Sequence, residues 1–341
     1  MTLRLIQAGV GGMGRAWWKN AILNNTAGVE LVAIADPAAG PRDECGDAFG
    51  LAGDRRFADL AEALDAVDAD AVLTVTPPAV HLPHAEIVFS RGLHLLTEKP
   101  IGNSLDEAKR MVALADAAGR QLVVAQNYRY SAAAQTLIRM AREKPLGEIG
   151  HAHIDFYIPG DFRGSFRQTM PYPLLIDMAI HHIDLVRAVL GRDIAKVTAH
   201  TFRPGWSWYD HHPGLHMMMQ LDGGTPVSYS GDWSARGRST GWNGAWRLQC
   251  ENGSIELLHD GKIQTTTSTF WGNDAVTVDV PPDGTPLTGQ SALLHRFAAA
   301  VADNAPAETS GRDNLKSFAA VQAGVLSAEQ GRTVAVAELL E

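Results

Sequence analysis

One lysine of the sequence is well placed for chemistry, because it directly follows a short apolar run. The run His94–Thr97 has the composition of a buried strand, and Glu98, Lys99 and Pro100 come at its carboxyl end. In open α/β sheets, ligands bind outside the carboxyl ends of the strands. An ammonium group there can hydrogen-bond to a hydroxyl or carbonyl oxygen and stabilise developing negative charge. Spacing alone supports equally well the alternative that Lys99 pairs with Glu98 or with solvent.

A carboxylate and an imidazole form a second pair suited to chemistry. Asp177 and His181 lie in an apolar segment that predicts a helix from Leu174 to Leu190, closed by Gly191. Their i, i+4 spacing puts both on one helix face, where they could share a proton or a substrate hydroxyl. Histidine titrates near neutral pH, as a general acid or base must. Two alternatives stay open, a helix-surface ion pair and a metal site with a third ligand elsewhere. The apolar neighbours of the pair argue against the ion pair.

A glycine-rich turn follows the first apolar run of the chain, Leu3–Ala8. Gly9 permits a tight turn, Gly11 leaves room for a pyrophosphate, and Gly14 lets the following helix pack closely on the strand. The start of that helix offers unpaired N–H groups to phosphates. A second apolar run ends at Asp36, where a ribose-binding carboxylate is expected. Together these features predict a dinucleotide-binding loop, which a glycine-rich turn alone would not.

Alternating strand and helix patterns carry these residues through the first third of the chain. The predicted strands are Leu3–Ala8, Val29–Ala35, Ala71–Thr76, His94–Thr97 and Gln121–Ala125, and the predicted helices span 13–23, 80–91 and 104–119. The pattern predicts an N-terminal Rossmann domain over residues 1–125, an α/β fold with a doubly wound parallel sheet.

After Asn127 the pattern changes to longer β segments separated by turn signals. Strands are predicted over 150–158, 194–202, 215–221, 227–233 and 333–336, with a hairpin at Asn252-Gly253, and helices over 131–143, 174–190, 295–303 and 315–330. We therefore expect a second domain, residues 126–341, of α+β type, built on a large, mostly antiparallel open sheet. The closing helices are able to pack back on the first domain.

The composition limits the class of protein. The 341 residues carry a net charge of -9, with 38 acidic and 29 basic residues, so no basic excess favours nucleic acid. The only two cysteines, Cys45 and Cys250, form neither a disulfide framework nor a thiolate metal site. We find no apolar run of transmembrane length, and the first strand begins too early for a signal peptide. We expect a cytoplasmic protein without membrane or nucleic-acid partners.

Four landmarks resemble those of the Gfo/Idh/MocA oxidoreductase family, which includes inositol and glucose-type sugar dehydrogenases. They are Gly9-Val-Gly11-Gly-Met-Gly14, Glu98-Lys99-Pro100, Asn127-Tyr-Arg129-Tyr, and Asp177-Met-Ala-Ile-His181 followed by Ile183-Asp184. The late segments Gly311-Arg-Asp-Asn-Leu315 and Gly331-Arg-Thr-Val also look like the closing helix and strand of that family, so the resemblance covers nearly the whole chain.

The resemblance implies a catalytic set of Lys99, Asp177 and His181, and NAD as the cofactor, with NADP as the alternative. Cofactor binding is assigned to Gly9, Gly11, Gly12, Met13, Gly14, Asp36, Thr76, Pro77, His81, Glu98, Lys99 and Asn127. Substrate binding is assigned to Lys99, Tyr128, Arg129, Arg163, Tyr172, Asp177 and His181. The second domain would be the open-faced sheet of the family, through which we expect a homodimer or homotetramer.

Two local features affect specificity. In the family, the segment before the Asp-x-x-x-His helix is commonly glycine-rich, whereas this chain has Met170-Pro-Tyr-Pro-Leu-Leu175 there. The family pattern therefore does not define the shape of the substrate pocket in this chain. Asp36 would accept ribose hydroxyls and repel a 2′-phosphate, favouring NAD, and the nearby Arg42 could soften that preference.

Other candidates rank lower. The histidine groups His81 with His84, and His211, His212 and His216, lack acidic or cysteine partners at ligand spacing, so we expect no metal site. Most tryptophans of the second domain are expected to pack in the core or between subunits. Arg163 and Arg167 could bind an acidic substrate or only face solvent.

The most favoured activity is hydride transfer between a sugar, sugar-derivative or polyol hydroxyl and NAD, on a small-molecule substrate. His181 would be the general acid/base, Asp177 would orient it or hold the substrate, and Lys99 would polarise the oxygen. Two alternatives use the same fold. One is a glycoside hydrolase or lyase that oxidises its substrate transiently and regenerates NAD, and the other is a non-catalytic sugar sensor.

Overall fold

The computed structural model describes residues 2–285 and 287–341, which divide into two compact units. The described residues of the first unit are 2–130 and 287–315, and those of the second are 131–285 and 316–341. The chain therefore leaves the first unit after Tyr130 and contributes to it again with residues 287–315.

The first unit is built on a six-stranded parallel sheet. Its strands are β1 (Leu3–Ala8), β2 (Val29–Ala35), β3 (Arg56–Phe57), β4 (Ala71–Thr74), β5 (His94–Thr97) and β6 (Leu122–Val124). They lie in the order β3-β2-β1-β4-β5-β6 and pair in parallel throughout. The order reverses between β1 and β4, which is the position where doubly wound sheets bind their ligands.

The helices of this unit begin and end at residues suited to those positions. They are α1 (Gly12–Trp17), α2 (Ala39–Ala48), α3 (Leu60–Ala66), α4 (His81–Ser90) and α5 (Leu105–Ala118), and a π-helical turn, Trp18–Ile22, continues α1. The Ser104 hydroxyl caps α5 by accepting from the Glu107 N–H at 3.2 Å, and Gly119 ends it at a φ of 61°.

The second unit contains a large sheet flanked by helices. Its elements up to residue 280 are α6 (Ala132–Glu143), β7 (Ile149–Tyr157), α7 (Phe166–Thr169), a π-helical turn (Leu174–Met178), α8 (Ala179–Leu190), β8 (Ile194–Phe202), β9 (Gly214–Leu221), β10 (Pro226–Asp232), β11 (Ala245–Cys250), β12 (Gly253–Leu257), β13 (Ile263–Thr267) and β14 (Val276–Val280). Residues alternate between buried and exposed along β9, so the sheet has one covered face and one open face.

The closing part of the chain serves both units. Helix α9 (Gly289–Asp303) belongs to the first unit, where Leu293, Leu294 and Phe297 join the hydrophobic core that also holds Leu5 and Trp17. It is followed by α10 (Gly311–Gln330), β15 (Val334–Ala335) and α11 (Ala337–Leu340). Strand β15 adds to the edge of the large sheet, whose order is β14-β13-β12-β11-β7-β10-β9-β8-β15. Among these nine strands only β7 and β10 pair in parallel.

The predicted fold class is confirmed, while several element boundaries differ from the prediction. The helix predicted over 13–23 changes from α to π at Trp18, and the one predicted over 174–190 starts as a π turn. Helix α9 begins six residues earlier than predicted, at Gly289 rather than His295, and α10 begins at Gly311 rather than Leu315. Of the strands that were not predicted, β3 has only two residues, too few for a pattern, whereas β14 alternates valine with polar residues.

Candidate functional site

The glycine-rich loop after β1 has no room for side chains at two of its motif positions. A Cβ on Gly9, whose φ is 82°, would overlap the carbonyl oxygen of Val75, and a Cβ on Gly14 would overlap that of Gly9. Gln7, fully buried in β1, holds the turn by donating from Nε2 to the carbonyls of Gly9 (2.9 Å) and Gly14 (3.0 Å). The backbone is therefore held close to the start of α1, as phosphate binding at a helix N-terminus requires.

Asp36 ends β2 beside this loop. Its Oδ2 accepts from the backbone N–H of Val10 at 2.8 Å and of Gly11 at 3.3 Å, and its Oδ1 accepts from the N–H of Ala38 at 2.9 Å. The Arg42 guanidinium donates to the backbone carbonyl of Asp36 at 2.7 Å. Arg42 therefore contacts the backbone of Asp36, and its effect on the choice between NAD and NADP stays a prediction.

A cavity of about 480 Å³ lies at the carboxyl ends of β1, β2 and β4, where doubly wound sheets bind dinucleotides. Gly9, Gly11, Asp36, Thr76 and Pro77, all predicted cofactor residues, line it. The Thr76 hydroxyl is buried there and has no hydrogen-bond partner among the described residues, so a ligand can satisfy it. A larger cavity, about 850 Å³, lies at the amino ends of β1 and β5 and is lined by none of the predicted site residues.

The loop after β5 is held by Glu98 and His81. The Glu98 carboxylate accepts from the Trp17 indole N–H at 2.7 Å and from the backbone N–H of Lys99 at 3.1 Å. The His81 ring is only 1% exposed, with Nδ1 3.0 Å from the carbonyl oxygen of Pro100 and Nε2 2.9 Å from that of Thr76. Burial lowers the pKa of His81, although the two carbonyls oppose that shift. His81 therefore joins the Thr76 and Lys99 loops, and its ring faces backbone.

The Asn127–Tyr130 segment forms a single 3₁₀ turn in the first unit. Arg129 is buried, and its guanidinium donates to the carbonyl of Glu308 at 3.2 Å and to the Asp313 carboxylate at 2.8 Å. These contacts fasten the turn to residues that return late in the chain. Arg129 therefore has a structural function within the first unit. Its contact with substrate remains a prediction. Asn127 and Tyr128 are half-buried on the same turn.

Asp177 and His181 lie on consecutive helical segments of the second unit. Asp177 belongs to the π turn and His181 to α8, and they are 8% and 6% exposed. The helix begins here as a π turn and is therefore not the uniform α-helix expected from the sequence, while the placement of both side chains on one face stays a prediction. The Asp177 carboxylate accepts from Nε of Arg167 at 2.5 Å. Arg167 is the residue whose importance the sequence left open.

Two further predicted substrate residues lie before this helix. Arg163 is 68% exposed and uses Nε and Nη2 on the Asp161 carboxylate, at 2.8 and 2.6 Å. Tyr172 adopts a φ of 48° and its ring lies 6.5 Å from that of His212. Neither contact involves Asp177 or His181, so their predicted contacts with substrate stay predictions.

The neighbours of the catalytic candidates on α8 have structural partners. His182 is fully buried, with Nδ1 3.0 Å from the Tyr229 hydroxyl and Nε2 2.9 Å from the carbonyl of Trp242. Burial lowers its pKa to about 4, so the ring is neutral at physiological pH. Asp184 accepts from the Ser317 hydroxyl at 2.8 Å.

Neither a metal cluster nor a membrane span is found in the part of the chain that the structure describes. No group of three or more histidine, cysteine or carboxylate side chains there is arranged to hold a metal ion. His212 instead bonds to the Thr201 hydroxyl, and His216 to that of Ser230. The described helices also include none with the length and apolar character needed to cross a bilayer.

Known proteins resemble the chain over nearly its full length. The family model for the oxidoreductase family with an NAD-binding Rossmann fold matches residues 3–126, and that for the GFO/IDH/MocA C-terminal domain matches residues 134–256. D-apiose dehydrogenase of Paraburkholderia graminis is 27% identical, over 92% of this chain and 84% of its own. Inositol 2-dehydrogenase 4 of Saccharopolyspora erythraea is 26% identical, over 97% and 96%.

A solved structure shows the same fold at lower identity. It is an oxidoreductase from Agrobacterium radiobacter in complex with NAD+, L-tartaric acid and magnesium, with a TM-score of 0.87, 23% identity and coverage of 99% of this chain and 100% of that one. The two family models together cover more than half of the sequence and correspond to the two sheets described above. The chain therefore belongs to the Gfo/Idh/MocA family of oxidoreductases, and its first unit is the NAD-binding Rossmann domain of that family.

Proposed function

We propose that this protein is an NAD-dependent dehydrogenase acting on a hydroxyl-bearing carbon of a sugar, sugar derivative or polyol. The observation that carries the proposal is the nearly buried pair of Asp177 and His181, retained in a chain whose first unit binds NAD. A carboxylate and an imidazole that keep slight access to solvent suit proton transfer with a bound hydroxyl. Relatives named as apiose and inositol dehydrogenases support the substrate class.

The proposed site residues differ in what they do. Bound NAD supplies the hydride acceptor. His181 accepts the hydroxyl proton at a ring nitrogen as the alcohol becomes a ketone or lactone, and Asp177 orients the ring or holds a second hydroxyl. The Lys99 ammonium hydrogen-bonds to the reacting oxygen and stabilises negative charge there. Glu98 and His81 act through Lys99, because they hold the loop that carries it.

We propose also that copies of the chain associate through the open face of the nine-stranded sheet. Lys196, His200, His216 and Met218 are exposed on β8 and β9, whereas Val197, Met217 and Met219 between them are buried. The breadth of this open face and the exposed Met218 on it support the proposal.

Replacing His181 by alanine tests the catalytic assignment. We expect hydride transfer in a single turnover to slow by about 100-fold or more, since general acid–base catalysis contributes that much. NAD affinity should stay near that of the native protein, because the cofactor loop lies in the first unit. Stopped-flow absorbance of NADH measures the first quantity, and fluorescence titration with NAD measures the second.

The exposed His151 on β7 supplies a matched control, for which His151→Ala should leave both quantities unchanged. An unaltered single-turnover rate in His181→Ala would remove His181 from the mechanism. Product formation without accumulating NADH would instead identify the NAD-regenerating hydrolase or lyase.

A further inference from the structure

An arginine that ion-pairs with Asp177 leaves part of its hydrogen-bonding capacity unused. Arg167 donates from Nε to Asp177 at 2.5 Å. Its two terminal amino groups, Nη1 and Nη2, donate to no residue that the structure describes. The side chain is 26% exposed, so these amino groups are accessible. The Nη edge of a guanidinium is the one that binds a carboxylate with two parallel hydrogen bonds.

Two aromatic rings fix the plane of this guanidinium. Its central carbon lies 5.0 Å from the ring centre of Phe162 and 4.6 Å from that of Phe166. Cation–π contacts and the ion pair with Asp177 together restrict the side chain, so little conformational entropy is lost when the Nη edge takes a ligand. The arginine is therefore organised for binding before any ligand arrives.

Arg163, four residues earlier, differs from Arg167 because its guanidinium is paired within its own loop. It uses both Nε and Nη2 on Asp161, is 68% exposed and contacts no aromatic ring within 6 Å among the described residues. The Nε and Nη2 donors of its guanidinium therefore already bind a carboxylate of the same loop. The two arginines, which the sequence could not separate, thus differ in the one property that a carboxylate-binding site needs.

We propose that Arg167 binds a carboxylate of the substrate, so that the substrate is a sugar acid or a related polyhydroxy acid and not a neutral polyol. This inference rests on the proposed function, because it places the carboxylate next to Asp177. Asp177 contacts Arg167 only through Nε, and a second carboxylate can bind the Nη edge, because a guanidinium has five N–H donors. In the reaction, one C–OH gives C=O, a hydride goes to NAD, a proton goes to His181 and the carboxylate is unchanged.

Matched substrates test the inference. D-gluconate with D-glucitol, D-galactonate with galactitol, and D-threonate with threitol differ within each pair only in a carboxylate or a CH2OH group. We expect the best acid to have a kcat/KM at least about 10-fold above that of its alditol, because a charge-assisted bidentate contact is worth at least one power of ten. The rate of NADH formation gives both constants.

Variants then show which residue produces the preference. In Arg167→Gln the rates with acid and with alditol both fall, since Asp177 loses its partner. The ratio of kcat/KM for the acid to kcat/KM for the alditol should also fall, to about 1, because the KM for the acid rises selectively. A residue that merely supports Asp177 would lower both rates and leave the ratio unchanged. Arg142→Gln, which removes an equal charge from an exposed position of helix α6, should keep the ratio. A ratio lost in Arg163→Gln and kept in Arg167→Gln would overturn the assignment.

The outcomes also separate this inference from the proposed function. Oxidation of an alditol with no preference for its acid would overturn the carboxylate site and leave the dehydrogenase intact. If no acid or alditol gave NADH, the result would count against the dehydrogenase activity. Calorimetric titration of the NAD-loaded protein with each acid and alditol would then test the carboxylate site at Arg167 independently of turnover. Acids that bind more tightly than their alditols, and lose this advantage in Arg167→Gln, support it, and equal or undetectable binding overturns it.

Discussion

His182 adjoins the proposed general base in the sequence, yet its surroundings make it a structural residue. Its imidazole is held between the Tyr229 hydroxyl and the Trp242 carbonyl, and its ring centre lies 4.8 Å from that of Phe156. Burial lowers its pKa from 6.5 to about 4. The unfolded chain therefore binds a proton at mildly acidic pH that the folded chain excludes, and the stability gained from the neutral ring is lost as pH falls from 6.5 towards 4.

We expect the free energy of unfolding to fall by about 2 kcal/mol between pH 7.5 and pH 5 through this residue alone. His182→Gln removes the titration, so the stability difference between native protein and variant should be about 2 kcal/mol smaller at pH 5 than at pH 7.5. Urea unfolding followed by tryptophan fluorescence suits the measurement, because six of the eight tryptophans lie in the second unit. The exposed His151→Gln is the control, and an equal difference at both pH values would contradict the prediction.

Sequence reasoning identified candidate residues where chemistry follows from position along the chain. Asp36 and Thr76 could be predicted because they follow strands whose carboxyl ends meet at one edge, and both line the dinucleotide cavity. Arg167 could not be separated from Arg163, because the difference lies in which carboxylate each contacts in three dimensions. A polar residue inside a buried strand, as Gln7 is, was an unused signal for the loop that it supports.

At the scale of elements, the contact between β1 and α1 depends on a missing side chain. A methyl group on Gly14 would overlap the Gly9 carbonyl and lie 3.2 Å from Nε2 of Gln7. Apart from its two chain neighbours, Gly40 in α2 has no heavy atom within 4 Å of the corresponding position. Comparing alanine variants at these two positions therefore distinguishes the steric requirement at Gly14 from the general effect of replacing glycine in a helix.

We expect Gly14→Ala to raise the Kd for NAD by about 10-fold or more and to cost about 1–3 kcal/mol of stability, because the helix must move off the strand. Gly40→Ala should leave the Kd for NAD unchanged and cost less than about 1 kcal/mol of stability, through the contact of its Cβ with the ring of Pro41. Calorimetric titration with NAD and thermal unfolding measure the two effects. Equal NAD affinities in the two variants would mean that the loop tolerates the displacement.

Regular elements were predictable where a single periodicity ran through them, as in β9 or α5. The π turns at Trp18–Ile22 and Leu174–Met178 were not, because an added residue in a helix leaves its apolar composition unchanged. Strand β14 is exposed along nearly its whole length, yet its sequence alternates valine with threonine and aspartate, a strand signal that the prediction did not use. The turn that carries Asp177 is thus the part of the site that the sequence described least well.

At the scale of the whole molecule, the exposed Met218 at the open sheet face tests association. It is 51% exposed and pairs across the sheet with Thr198 and Ser228. We expect light scattering to give a mass at least twice the 36.6 kDa of one chain, and Met218→Glu to lower the mass towards that of one chain, since a buried unpaired carboxylate opposes association.

Leu23→Glu, at an exposed apolar residue of the first unit, should leave the mass unchanged. A monomeric native protein at micromolar concentration, or an unaltered mass in Met218→Glu, would exclude this face as the interface.

The contribution of α9 to the core of the first unit also determines when that core can form during synthesis. Leu293, Leu294 and Phe297 are added to the growing chain only after residues 131–286 have been translated. At roughly 5–20 residues per second, those about 150 residues take about 8 to 30 s. During that interval the nascent Rossmann sheet exposes the apolar surface that α9 later covers, so this family member has a long period in which a chaperone can bind its unfinished first unit.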